Sequence, residues 1–189
     1  MRHYGDITKL SGYELPPVDC ITGGSPCQDL SVAGNRAGLD GERSGLFMEQ
    51  IRIVKEMRDA DRQRGRTAWS VRPRFMVWEN VPGAFSSNKG KDFQAVLTEI
   101  VRIADKNAPD VPLPNKGWSK SGCLYDELGR WSVAWRVHDA QFWGVPQRRK
   151  RIAVVADFGG LSAPEVLFER KGSTWYPSES EQEGESITE

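Results

Sequence analysis

The chain has 189 residues, 38% hydrophobic and 28% charged, which suffices for one domain with a sizeable core and is short for two. Lys plus Arg and Asp plus Glu both number 26, a balance that disfavours a globally basic nucleic-acid binder and an acidic disordered chain. The zero is uneven: five glutamates (Glu179, Glu181, Glu183, Glu185 and Glu189) close the chain and leave residues 1–178 at +5.

In chain order, Val18–Thr22 is a short β-prone run that ends in the sharp turn Gly23-Gly24-Ser25-Pro26. Phe47, Ile51 and Val54 recur at helical spacing, with Leu46, Ile53 and Met57 beside them, and predict an amphipathic helix over Gly45–Arg58 capped by Ser44. Asp59–Arg72 is polar and arginine-rich and reads as a solvated connection. Phe75–Trp78 is a continuous apolar run suited to a strand buried on both faces. Phe93, Val96, Leu97, Ile100, Val101 and Ala104 trace one face of a second helix. Residues 107–130, rich in proline and glycine, suggest a long loop or a weak hairpin. Trp131–Val137 alternates at period two, and Arg151–Ala156 is a final strand.

Strands alternating with helices imply an α/β fold with parallel βαβ units. The last two strands are too close for a crossover helix, so they form an antiparallel hairpin expected at one sheet edge. Two regions follow: a domain over residues 1–160, and an acidic tail over 161–189, expected to be disordered or truncated. No apolar run approaches the roughly 20 residues of a membrane-spanning helix. The N-terminal MRHYGDITKL lacks an apolar signal core, so a cytoplasmic protein with no membrane partner is expected. Cys20, Cys27 and Cys123 match neither a disulfide framework nor a zinc spacing, and no metal is expected.

In an open α/β sheet, ligands gather beyond the carboxyl ends of the strands. Cys27 follows the first strand through a tight turn, and Glu79-Asn80 follows Phe75–Trp78 directly. Gln147-Arg148-Arg149-Lys150-Arg151 precedes the last strand, and an antiparallel last strand begins at that same edge. The three clusters are therefore expected to face one cleft. Taken alone, Cys27 is more often a small buried hydrophobe than a nucleophile. Glu79 alone is more often solvated, although a carboxylate abutting four buried apolar residues is subject to desolvation. The basic run alone is a solvated face or a phosphate contact. His3 and His138 have no partner at ligand spacing and read as structural or surface residues.

Five segments together carry a resemblance: Gly5-Asp6-Ile7-Thr8, Gly24-Ser25-Pro26-Cys27-Gln28, Gly45-Leu46-Phe47, Glu79-Asn80-Val81 and Gln147-x-Arg149-x-Arg151. In order and spacing, from about Tyr4 to Phe158, they resemble the motifs of the DNA (cytosine-5)-methyltransferases. The resemblance implies a Rossmann-like methyltransferase sheet, the cofactor S-adenosylmethionine and double-stranded DNA as partner and substrate. Carbon 5 of cytosine is a poor nucleophile until a thiolate adds to carbon 6. Cys27 matches that nucleophile, and Glu79 matches the carboxyl group that contacts ring nitrogen 3 and the exocyclic amine. Arg149 and Arg151 match the paired arginines that steady the base or phosphate. By the same resemblance Asp6 and Ile7 contact the cofactor's adenine, with Pro26 and Leu46 lining the pocket. Gln28 and the Ser31–Gly45 stretch, with Arg36 and Arg43, match the loop that closes over a flipped base. Arg148 joins the DNA contacts, Gln147 supports its loop, and Asn80 holds the Pro-Cys turn by hydrogen bonds at the DNA-facing edge.

The resemblance has gaps. The family opens with a strand and a Phe-x-Gly-x-Gly turn for the methionine end of the cofactor, and no Gly-x-Gly occurs in this chain. The family's target-recognition domain has no counterpart after Phe158. The expected sheet thus misses its first strands. A second polypeptide supplying them would complete an active enzyme, and without one the chain reads as an inactive remnant with weak nucleic-acid binding. A thiol hydrolase pairing Cys27 with His138 is the alternative from another class, but it lacks an orienting third group and an oxyanion motif.

Overall fold

The computed structural model describes residues 2–25, 45–144 and 146–168. Five strands form one open mixed sheet, β1 (Cys20–Gly24), β2 (Phe75–Asn80), β3 (Ser121–Tyr125), β4 (Ser132–Asp139) and β5 (Lys150–Asp157), in the order β1-β2-β5-β4-β3. Helix α1 (Gly45–Gln63) links β1 to β2, α2 (Lys91–Ala104) follows β2, and α3 (Ala163–Leu167) follows β5. β1 and β2 are parallel, as the βαβ pattern predicts, and every other pairing is antiparallel.

Two expectations about the sheet need correction. β4 and β5 do form an antiparallel pair, but not at the edge: β5 lies between β2 and β4, and the edge belongs to β3. β3 arises inside the stretch expected as loop or weak hairpin, where Gly122 pairs with Trp135 and a side chain at 122 would collide with the indole. The strand Phe75–Trp78 is not buried on both faces either. Met76 and Trp78 are buried, while Phe75 and Val77 on the other face are half-buried.

The core lies between one sheet face and the pair α1 and α2. Phe47, Ile51 and Val54 of α1 and Phe93, Val96, Leu97 and Ile100 of α2 are each at most 1% exposed, as their helical spacing requires. Phe93 is central, with edge-to-face contacts to Phe85, Trp118 and Trp135 at ring-centre distances of 4.7, 5.1 and 5.9 Å. On the opposite face, Ala163 of α3 packs against Ala134 and Val155. The segment assigned to the tail therefore starts with a short packed helix, and residues 169–189 lie outside the described residues.

Helix α1 runs past Arg58 to Gln63 because its polar residues are bonded inward. Buried Arg58 donates to the carbonyls of Val71 (3.0 Å), Pro73 (2.6 Å) and Phe158 (3.3 Å), and burial lowers its pKa to about 10. Asp61, fully buried, accepts the Arg72 N–H at 2.8 Å. The arginine-rich stretch after Asp59 is thus partly a fastening between α1 and the entry to β2. No described helix is long and apolar enough to cross a membrane.

Candidate functional site

The carboxyl ends of β1 and β2 and the amino end of β5 meet at one sheet edge, as the strand register requires: Gly24 pairs with Glu79, and Asn80 with Ile152. At that edge consecutive residues of β2 face opposite ways. Glu79 lies on the open face, where its Oε1 sits 2.7 Å from Arg151 Nε. Arg151 Nη1 also donates to its own neighbour's carbonyl, Lys150 O, at 2.9 Å. Only part of the apolar run flanks Glu79. Met76 and Trp78 point to the other face, and the Glu79 side chain is 49% exposed.

Asn80 points inward and is 3% exposed. Its Nδ2 donates to Ser25 O at 3.0 Å, and its Oδ1 accepts the Val81 N–H at 2.8 Å. Trp78 Nε1 adds a bond of 3.2 Å to Ser25 Oγ. Asn80 thus ties the end of β2 to the backbone of Ser25, two residues before Cys27, as expected for a residue that holds the Pro-Cys segment. The glycines before Ser25 sit in close approach to neighbouring side chains. A Cβ at Gly23 would lie 2.6 Å from Gln50 Oε1, and one at Gly24 would lie 3.0 Å from Glu79 Oε2. Oε2 therefore hangs over the end of β1, while Oε1 is held by Arg151.

Gln147, Arg148 and Arg149 are exposed on the approach to β5. Arg149 is held through its backbone, its N–H donating to Asp139 Oδ1 at 3.2 Å and its carbonyl accepting the Ala140 N–H at 3.0 Å.

Asp6 and Ile7 lie on a segment docked against α1. Asp6 caps the turn Ile7–Lys9 by accepting the Thr8 N–H and hydroxyl on Oδ1, at 3.0 and 2.9 Å. The Thr8 backbone bond and then its hydroxyl hold the Asp6 pKa below the usual carboxylate value. The docking is the work of Arg52, which donates to Ile7 O (3.0 Å) and Leu10 O (2.9 Å) while Glu49 and Glu56 hold its guanidinium. Glu56 also accepts the Gly12 N–H at 2.7 Å. Leu46, in the first turn of α1, is 43% exposed.

The structure thus brings together Glu79, Arg151 and Ser25, with Asn80 behind them and Arg149 alongside; the expected turn does not start at Gly23, since Gly23 and Gly24 belong to β1. Pro26, Cys27, Gln28, Ser31, Arg36 and Arg43, and the expected cap Ser44, lie outside the described residues. Sequence reasoning missed Arg52, Gln50 and Asp139. The only available signal for Arg52 was its spacing, with Glu49 and Glu56 at i−3 and i+4. Among the described residues no group of three His, Cys, Asp or Glu could hold a metal ion.

The family model for C-5 cytosine-specific DNA methylase matches residues 2–104. A DNA N-6-adenine-methyltransferase of Escherichia phage P1 is 34% identical over 91% of this chain and 25% of its own length. The type II methyltransferase M.BsuFI of Bacillus subtilis is 28% identical, covering 88% of this chain and 31% of that protein. M.AquIA, a type II methyltransferase of Picosynechococcus, is 30% identical, with coverages of 81% and 52%. The chain therefore spans about a quarter to a half of these relatives. The solved S. pombe Dnmt2 methyltransferase aligns over 95% of this chain and 43% of its own, at 14% identity and a TM-score of 0.49.

Proposed function

Since the chain belongs to the C-5 cytosine-specific DNA methylase family, we propose that it forms the catalytic part of an enzyme that methylates carbon 5 of cytosine in double-stranded DNA. The observation that carries this reading is the convergence of Glu79, Arg151 and Ser25 at one sheet edge. Cys27 follows Ser25 by two residues. Its thiolate attacks carbon 6 of a cytosine flipped out of the duplex, since a stacked base does not admit the attack. Arg151 holds Oε1 of Glu79, so Oε2, over Gly24, meets ring nitrogen 3 and the exocyclic amine. A proton delivered to nitrogen 3 offsets the charge that builds on the ring as sulfur adds. Carbon 5, now enamine-like, would take the methyl group supplied by the sulfonium of bound S-adenosylmethionine, whose carbon–sulfur bond breaks to release a neutral thioether. The carbon 5 and nitrogen 3 protons would pass to solvent, and the thiolate would depart with the electron pair of the carbon–sulfur bond.

The residues around α1 fit S-adenosylmethionine. Both Thr8 bonds to Asp6 fall on Oδ1, and exposed Leu46 with half-buried Ile7 offers apolar surface for a purine. Asp6, Ile7, Leu46 and Pro26 would hold its adenosine end. When bound, the cofactor supplies an electrophilic methyl group on a sulfonium. Arg148 and Arg149, exposed beside Arg151, contact phosphates, with Gln147 holding their loop. Gln28, Ser31, Arg36 and Arg43 close over the flipped base.

Further polypeptide, on the same chain or a second one, would complete the site. β1 and β2 are parallel, and parallel strands are normally covered on both faces. Yet β1 is an edge strand whose outward residues Cys20, Thr22 and Gly24 are exposed. That edge offers a place for a further strand and a covering helix.

The test is covalent trapping on duplex DNA containing 5-fluorocytosine with S-adenosylmethionine, with the chain alone and with a polypeptide bearing Phe-x-Gly-x-Gly. Fluorine cannot leave as a proton, so the adduct persists. Cys27→Ser should abolish it, and Cys20→Ser and Cys123→Ser should not. No adduct in either condition would leave the inactive-remnant reading standing. The phage P1 relative carries an adenine name, but this chain matches only 25% of it. Mass analysis of methylated nucleosides separates 5-methylcytosine from N6-methyladenine.

A further inference from the structure

We propose that Asp139 is a positioning residue of this site: its carboxylate locks the register with which the chain enters β5, and so decides which face Arg149 and Arg151 present. The inference rests on the proposed role of those arginines, but its structural half does not need DNA.

β4 ends at Asp139, paired with Lys150, and the ten residues between them form the connection to β5. Where two antiparallel strands meet in a hydrogen-bonded pair, the opposed residues exchange both backbone bonds. At the next pair, Ala140 gives its N–H to Arg149 O at 3.0 Å, but the Arg149 N–H goes to Asp139 Oδ1 at 3.2 Å. The same oxygen accepts the Gln141 N–H at 3.3 Å, capping the turn Ala140–Trp143. One side chain therefore clamps both ends of the connection.

The clamp matters because side chains alternate along a strand, so a slip of one residue reverses every one of them. In the observed register Ile152, Val154 and Ala156 enter the core, and Arg151 stands on the open face within reach of Glu79. Arg149, two residues earlier, continues that alternation. Slipped by one, Lys150 would take Arg151's place, and no guanidinium would face the carboxylate. The apolar residues of β5 already oppose a slip within the strand, but nothing apolar guards its first two residues. Asp139 is 8% exposed, and its Oδ2 is buried with no hydrogen-bond partner among the described residues. A carboxylate so placed is poorly suited to stabilising the fold, which favours a placing role over a stabilising one.

Amide hydrogen exchange and trapping kinetics test this on the full chain, with its partner polypeptide where trapping requires one. In Asp139→Ala the protection of the Arg149 and Gln141 amides should fall about tenfold, as loss of one hydrogen bond implies, while Val154 and Val133 keep theirs. Asp139→Asn retains an acceptor oxygen and should restore both amides; it carries the test if the alanine variant does not fold. The trapping rate should drop more than tenfold in Asp139→Ala with duplex affinity changed less than threefold, and Asp139→Asn should recover it. Unchanged Arg149 protection in Asp139→Ala, or an asparagine variant as defective as the alanine one, overturns the proposal. If exchange responds as expected and the wild-type chain forms no adduct under any condition, the methylation reading fails and the register lock stands.

Discussion

Replacing Asn80 by alanine should destabilise the protein by about 3 kcal/mol. The truncation removes the hydrogen bonds to Ser25 O at 3.0 Å and from Val81 N at 2.8 Å. Ser25 is 9% exposed, so its carbonyl loses its donor with little access to water, at roughly 1–3 kcal/mol. Val81 is half-buried, and water can partly replace its acceptor, so that loss is about 0.5–1 kcal/mol. Urea unfolding at neutral pH, followed by tryptophan fluorescence, measures the difference. Asn80→Asp sharpens the test, because it keeps the acceptor for Val81 but turns the donor facing Ser25 into a second acceptor. At neutral pH it should be at least as unstable as the alanine variant. Burial beside a carbonyl raises the introduced carboxyl's folded pKa, so the folded state binds its proton more readily, and this deficit should shrink as pH falls. If Asn80→Asp matches wild type at pH 7, the bond to Ser25 does not exist and the account of the turn fails.

Three further predictions follow from other contacts. Burial opposes ionisation of Asp157, but the Arg74 guanidinium and the Gly159 and Ser162 N–H groups outweigh it and hold its pKa below the usual value. Its stabilisation is therefore full above the unfolded value of about 3.9 and is lost as pH falls through the folded one. The stability gap between wild type and Asp157→Asn should narrow below about pH 4, and a gap constant down to pH 2 would contradict the assignment. Gly24→Ala should cost roughly 1 kcal/mol by overpacking and slow 5-fluorocytosine trapping at least tenfold, because its methyl group meets Glu79 Oε2. Arg52→Ala should release residues 7–12 from α1, read as trypsin cleavage after Lys9 at least tenfold faster, with a stability loss of about 1–2 kcal/mol. Unchanged cleavage would mean that Arg52 does not hold that segment.

The apolar periodicities of α1 and α2 were legible because burial on one face is a local demand that sequence records directly. So was the meeting of the Glu79 and Arg151 segments, which needed only that the last strand run antiparallel to its neighbours. The interior position of β5 was not, since hairpin geometry says which strands pair but not which side of the pair faces β2. β3 escaped because Ser121–Tyr125 has little apolar alternation, and its Gly122 serves the Trp135 ring across the ladder. Helix α1 was cut short at Arg58 because a buried arginine satisfied by three carbonyls looks, in sequence, like a solvated one. The apolar run before Glu79 does not reveal which side its carboxylate takes, because the alternation of β2 turns it to the open face. The Arg52 clamp and Asp139 act on backbone groups distant in sequence, and a side chain's type does not say which carbonyl or amide it will reach.

Placing the last strand in the middle of the sheet has a consequence for how the molecule comes into being. Until β5 is made, β2 has a neighbour on one side only, and β3 with β4 is joined to β1 and β2 by no ladder at all. The sheet then closes in one step that brings Glu79 to Arg151 across 72 residues of chain. Such a distant pairing carries a large loop-closure cost and is slow to form. During synthesis the two halves of the sheet wait with their inner edges open, exposed to pairing with the wrong strand. The Glu79–Arg151 pair therefore waits for β5, and a nascent chain that stops short of that strand holds Glu79 without its guanidinium partner.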